Sequence, residues 1–240
     1  GQVVRVVDSL LETGRLDNPI IIFASDNGAN ATPGLKFYSL GDMSVWDRLG
    51  VDNRYENLGR QGSFISVGAD WSDINNAPYG TYHKTTTGQG GINTAMMISA
   101  PMFPDTKKGT WDKQMIAVYD LTGIELKEYS DKLPVYGVSH KDHLLNHAET
   151  TTRAQFGTEL HNQLGFIDGE WKVRKLTKTG AVAVDGDWQL FNIKHDPLET
   201  QDVGSEFPEL MQDMIQKYNQ FAKETMVIEA KGQRIWGSTE

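Results

Sequence analysis

The 240 residues, 38% hydrophobic and 23% charged, suffice for one or two globular domains with a sizeable core. No apolar run is long enough to span a bilayer, and 23 Lys and Arg against 32 Asp and Glu leave a formal charge of -9 without a basic stripe, which disfavours nucleic acid as a partner. The absence of Cys removes disulfides, thiolate metal ligands and an encoded thiol nucleophile, whereas an anionic small substrate stays compatible with local cations in a pocket.

Val3, Val6, Val7, Leu10 and Leu11 share one helical face that ends at Gly14, so the chain opens on an amphipathic helix. Ile20 to Phe23 form a continuous apolar run, which suits a strand buried on both faces of a mostly parallel sheet. Asp26 and Asn27 leave its carboxyl end, where such sheets place their ligands, and Gly28 permits a sharp turn or a close backbone approach. No targeting signal precedes this helix, and a chain that begins inside a helix feeding a core strand is expected to be a fragment.

Residues 28–92 are dense in Gly, Asn, Asp and Tyr, the composition of a long functional or partly helical connection. The run from Asn93, ended by Pro101 and Pro104, predicts a second core strand. Residues 113–129 are amphipathic, although Gly123 weakens a helix there, and the polar, His-rich residues 130–152 suit a connection between lobes. The last third predicts a small antiparallel sheet covered by one helix. A hairpin turns at Asp168 and Gly169, another strand carries Trp188, Leu190 and Ile193 up to a His195-Asp196-Pro197 turn, and Pro208 to Thr225 has helical apolar spacing. Trp171, Trp188 and Phe191 are expected to pack that sheet.

Asp26 and Asn27 offer carboxylate and amide oxygens suited to Ca²⁺ or Mg²⁺, yet two ligands do not complete a site of about six. The competing interpretation is an Asp-capped turn with Asn27 in a left-handed conformation. Lys84, between a Tyr-His pair and Gly90-Gly91, could donate to a tetrahedral anion or be a solvated loop lysine. His83 reads as incidental. His140, His143 and His147 have a spacing resembling a metal arrangement in a loop-like context without a carboxylate pattern, and Arg153, Glu159 and His161 form no pattern. There is no nucleophile elbow, Walker-type loop or dinucleotide fingerprint.

Taken in order, these segments resemble the C-terminal half of a bacterial arylsulfatase, of the formylglycine-dependent sulfatase family in the alkaline phosphatase-like superfamily. LLETGRLDNPIIIFASDNG resembles that family's helix, turn and strand ending in Ser-Asp-Asn-Gly. DNRYENLGRQGSFISVGADW is similar to a stretch of the bacterial arylsulfatase branch, and NNAPYGTYHKTTTGQGGI to its Pro, Lys and Gly-Gly-Ile signature. IDGEWKV, WQLFNIKHDPLETQDV and the closing helix resemble its C-terminal subdomain.

The resemblance implies an α/β fold. Residues 1–129 would be the C-terminal portion of a catalytic domain built on a large mixed, mostly parallel sheet flanked by helices. Residues 130–152 would be a connection, and residues 153–240 a small antiparallel-sheet subdomain packed on a C-terminal helix. It also implies that Asp26 and Asn27 are calcium ligands, that Asp26 lies near the nucleophile as a possible base, and that Lys84 contacts a sulfate oxygen. One residue is inserted between Pro78 and Lys84 relative to the family pattern, leaving His83 a weaker candidate, and Gly123 stands where the family often has Pro. The nucleophile motif, Cys/Ser-x-Pro-x-Arg, is absent, since none of the eight prolines is followed two residues later by Arg. In the family's reaction an aldehyde hydrate attacks sulfur, an alcohol or phenol leaves, and sulfate is eliminated.

The implied activity is hydrolysis of aryl-type sulfate esters by the intact enzyme, with this chain inactive alone. Alternatives are phosphonate or phosphate ester hydrolysis on the same scaffold, or a non-catalytic interaction module. Implied partners are a small sulfate ester and the N-terminal half of the same enzyme, with self-association through an exposed core edge. The implied compartment is periplasmic or extracellular.

Overall fold

The computed structural model describes residues 1–31, 49–64, 68–79, 84, 86–105, 109, 141–146, 155–160, 162–176 and 186–228. Two compact units are built from interleaved segments: residues 1–24 with 95–154, and residues 25–94 with 155–240. The segments 113–129 and 130–140, Gly123, His83, His140, His147, Arg153 and His161 lie outside the described residues.

In the first unit, α1 (Gln2–Glu12) follows the apolar spacing of its sequence and stops ahead of Gly14, which takes the positive φ of +64 that an L side chain resists. Its apolar stripe is not a core face as the periodicity suggested. Val7 and Leu10 are half-buried, while Val3, Val6 and Leu11 are exposed, because no described element closes over them. β1 (Ile21–Ala24) pairs with β2 (Met96–Ser99) in antiparallel register, Ile21 opposite Ser99 and Ala24 opposite Met96. A mostly parallel sheet was the expectation, and among the described residues every strand pair is antiparallel. Burial departs from expectation too, since Ile22, Phe23, Met96 and Met97 are exposed. The β-branched and aromatic residues of this run suit the extended backbone whether or not a second layer covers them. A short helix, Lys141–Asn146, carries His143 on its last turn.

In the second unit, a 3-10 turn (Tyr55–Asn57) is followed by two helices, α2 (Gly68–Asn75) and the short α3 (Gln89–Ile92). The helix at residues 141–146 is α4 in chain order. Four antiparallel strands then run side by side: β3 (Gln155–Leu160), β4 (Gln163–Asp168), β5 (Trp171–Lys175) and β6 (Gln189–Asn192). The β4–β5 hairpin turns one residue later than its Asp-Gly pair suggested. Asp168 still pairs with Trp171, so the loop is Gly169 and Glu170, with positive φ at Gly169 alone, as a type II′ turn requires.

α5 (Pro208–Glu224) closes one face of this sheet. Pro208 sits in its first turn, where the missing N–H costs nothing, with Glu209 in the first turn and Lys223 in the last complementing the helix dipole. Met214 and Tyr218 pack on Leu164, Phe166, Val173 and Leu190, each contributing roughly 1.5–3 kcal/mol by burial. Trp171 and Trp188 flank this cluster, as their alternation predicted. Gly157 is required for close packing, because a Cβ there would fall 2.1 Å from the Phe221 ring. Lys217 ties the helix to the hairpin, its ammonium 2.6 Å from Asp168 and 2.7 Å from Asp213.

The opposite face is also buried. Lys172, Arg174 and Phe191 point there, at 0%, 2% and 1% exposure, so the sheet has two covered faces where a single covering helix was expected. The second cover is the segment 86–91 together with Glu199.

Candidate active site

The turn after β1 is set by its own side chains. Ser25 Oγ donates to the Asn27 carbonyl at 2.9 Å, the Asn27 N–H donates to Asp26 Oδ1 at 3.0 Å, and Asn27 Nδ2 donates to the Gly28 carbonyl at 2.8 Å. Asp26 is exposed and Asn27 half-buried, and Asp26 Oδ2 and Asn27 Oδ1 have no protein partner among the described residues. A carboxylate and an amide oxygen are donors of the kind a calcium shell draws on. They supply only part of the six or more oxygens such an ion takes, and no further acidic or His cluster adjoins them among the described residues.

Backbone contacts join this turn to Lys84. The Gly28 N–H donates to the Gly91 carbonyl at 3.0 Å, and the Lys84 N–H donates to the Ala29 carbonyl at 3.1 Å. Gly28 is buried against Gly90 so tightly that only hydrogen fits on its α-carbon. The Ala29 N–H donates to Asn76 Oδ1 at 2.7 Å, and Asn76, buried just after α2, is a support that the residue pattern did not single out. Its one signal was the Asn-Asn-Ala-Pro turn at the end of the helix. Lys84 is half-buried, and its ammonium has no partner among the described residues. The structure therefore brings Asp26, Asn27 and Lys84 into one hydrogen-bonded cluster of turns within a single unit.

The segment from Lys84 to Gly91 is held from its other side by charges. Lys172 Nζ donates to the Thr87 carbonyl at 2.6 Å and lies 2.6 Å from Glu199 Oε1 as an ion pair. Glu199 Oε2 accepts the Gln89 N–H at 3.1 Å and an Arg174 guanidinium N–H at 2.6 Å. Arg174 also donates to the Glu199 carbonyl and to Gln189 Oε1, and stacks 4.3 Å over Phe191. Thr87 Oγ1 donates to the Leu164 carbonyl at 3.3 Å. Burial pushes the Lys172 ammonium below the ordinary lysine range; Glu199 opposes that shift and the Arg174 charge adds to it.

Glu159 is exposed and accepts the Asn162 N–H at 2.8 Å, and His143 is half-buried on α4.

No family model matches the chain. It is 42% identical over 148 residues to an arylsulfatase of Klebsiella aerogenes, covering 58% of this chain and 31% of that protein. It is 27% identical over 249 residues to an uncharacterised sulfatase of Schizosaccharomyces pombe, covering 94% of this chain and 42% of the relative. The chain thus spans less than half the length of both curated relatives.

Among solved structures, a Bacteroides thetaiotaomicron sulfatase of glycosaminoglycan metabolism superposes with a TM-score of 0.55 at 18% identity, over 92% of this chain and 42% of that one. A protein solved with its substrate D-glucosamine-2-N,6-O-disulfate superposes with a TM-score of 0.53 at 14% identity, over 96% and 40%. At those identities the likeness is one of fold. Over those 148 residues the chain is similar in sequence to an arylsulfatase, and its fold is similar to that of solved sulfatases, which is consistent with the C-terminal part of a sulfatase.

Proposed function

We propose that this chain is the C-terminal portion of a sulfate ester hydrolase of the aryl sulfate type, and that it contributes one side of the active site. The observation that carries this reading is the backbone bonding that ties the Asn27–Ala29 turn to both Lys84 and Gly91, which brings the residues Asp26, Asn27 and Lys84 onto joined turns. Asp26 and Asn27 would hold calcium, which supplies charge stabilisation at the sulfuryl oxygens when bound. Lys84 donates hydrogen bonds to a sulfuryl oxygen as negative charge builds there. In this reading Asp26 would take a proton from a nucleophile that the other half of the enzyme would supply. Residues 1–129 would complete the large sheet of the catalytic domain and residues 153–240 form its subdomain, in a periplasmic or secreted enzyme.

The test is turnover of an aryl sulfate, beside an aryl phosphate, by the polypeptide that joins this segment to a nucleophile-bearing half. Preferential sulfate release, lost in Asp26→Ala and in Lys84→Ala, is the expected result. A preference for the phosphate would transfer the reading to phosphoester hydrolysis. Metal-dependent turnover by the 240 residues alone would overturn the half-site assignment.

A further inference from the structure

We infer that Glu199, with Lys172 and Arg174, is a positioning residue for Lys84, an inference that rests on the role proposed above for that lysine. Glu199 and Lys172 have side chains at 0% exposure, and Arg174 at 2%, yet all three carry charge into the contact between β5 and the segment 86–91. What they grip there is backbone: Lys172 takes the Thr87 carbonyl and Glu199 takes the Gln89 N–H, a partner 110 residues away in sequence. Thr87 lies three residues after Lys84, and Gly91, two after Gln89, returns its carbonyl to Gly28 beside Asn27.

The loop is therefore clamped at two points, by the strand-end turn and by the buried charges. A loop of Thr and Gly has little side-chain packing to fix its own path, and Gly carries the greatest backbone freedom to lose. The clamp removes that freedom, and with it the freedom of the lysine that the loop carries. Glu199 adopts a positive φ of +54, an uncommon conformation for a non-glycine residue, and there its carboxylate serves Gln89, Lys172 and Arg174 together. Neither Glu199 nor Lys172 touches the Asp26–Asn27 turn in any described bond, so their effect on it passes through the loop.

Native-state hydrogen exchange on the full 240-residue chain tests the clamp. Glu199→Gln should speed exchange of the Gln89, Lys84 and Gly28 amides about 10-fold or more, while the amides of the β4–β5 ladder stay within about 2-fold. Faster exchange at Gln89 alone, or equal acceleration through the ladder, would overturn the inference. If Glu199→Gln does not fold, Gln89→Pro removes the bonded N–H and leaves the three charges in place. The same acceleration at Lys84 and Gly28 is then expected, and its absence counts against the clamp. Joined to a nucleophile-bearing half, Glu199→Gln should lower kcat for an aryl sulfate about 10-fold, with Glu199→Asp restoring part of it. Released amides with unchanged kcat would overturn the positioning role. Absent turnover in the unsubstituted enzyme would instead overturn the proposed function and leave the clamp standing on its exchange data.

Discussion

Gly28 and Gly90 meet so closely that a Cβ built on Gly28 would lie 1.6 Å from the Gly90 carbonyl oxygen. The obstacle is backbone, which a rotamer change cannot move aside. Gly28→Ala is expected to cost about 1–3 kcal/mol, the range for overpacking, and to break the Gly28–Gly91 hydrogen bond. Urea unfolding checks this, and an unchanged midpoint would refute the packing described for the strand end.

The buried charges respond differently to partial and to complete removal. Glu199→Ala leaves Lys172 and Arg174 buried without their anion, and a loss of about 3–5 kcal/mol in unfolding free energy is expected. Replacing all three as Lys172→Met, Arg174→Leu and Glu199→Leu should recover part of that loss, because the desolvation cost disappears with the charges while the Thr87 carbonyl and the Gln89 N–H are left without their partners. Equal destabilisation of the single and triple variants would contradict this account.

Asp52 reports on its own loop. The Arg54 side chain donates to its carboxylate at 2.9 and 2.8 Å and the Arg54 N–H at 3.1 Å, which together hold its pKa at about 2 in place of 3.8. Since the folded value is the lower one, the stabilisation is complete above 3.8 and is lost as pH falls through about 2. Carboxyl NMR should find a midpoint near the lower value, and Arg54→Met should raise it part of the way, the backbone bond remaining. A midpoint near 3.8 in the unsubstituted chain would contradict this loop geometry.

Met214 is fully buried between α5 and the sheet. Met214→Ala should therefore cost about 2–5 kcal/mol, the range for buried large-to-small changes. At Ile228, 86% exposed, the change to Ala should stay within about 0.5 kcal/mol. Thermal unfolding of the two variants side by side distinguishes these effects, and similar shifts would mean that the helix does not cover the core as described.

What could be read from the residues alone was whatever depends on short-range pattern. The 3.6-residue spacing from Leu210 to Phe221 marked α5, the apolar run before Asp26 marked β1, and the Asp-Gly pair marked the hairpin to within one residue. Asp26, Asn27 and Lys84 were legible as candidates because a strand end and a Gly-rich turn are places where such side chains can reach a ligand. Their bonding into one cluster was not, since it depends on backbone contacts between turns more than fifty residues apart. Nor was burial: Trp-Lys-Val-Arg-Lys alternates like a strand with one solvated charged face, and local spacing carries no information about what will cover that face. Only the tertiary structure decided that Glu199 and the segment 86–91 cover it, because burying Lys172 and Arg174 becomes tolerable only when a distant anion and distant backbone groups arrive together to satisfy them.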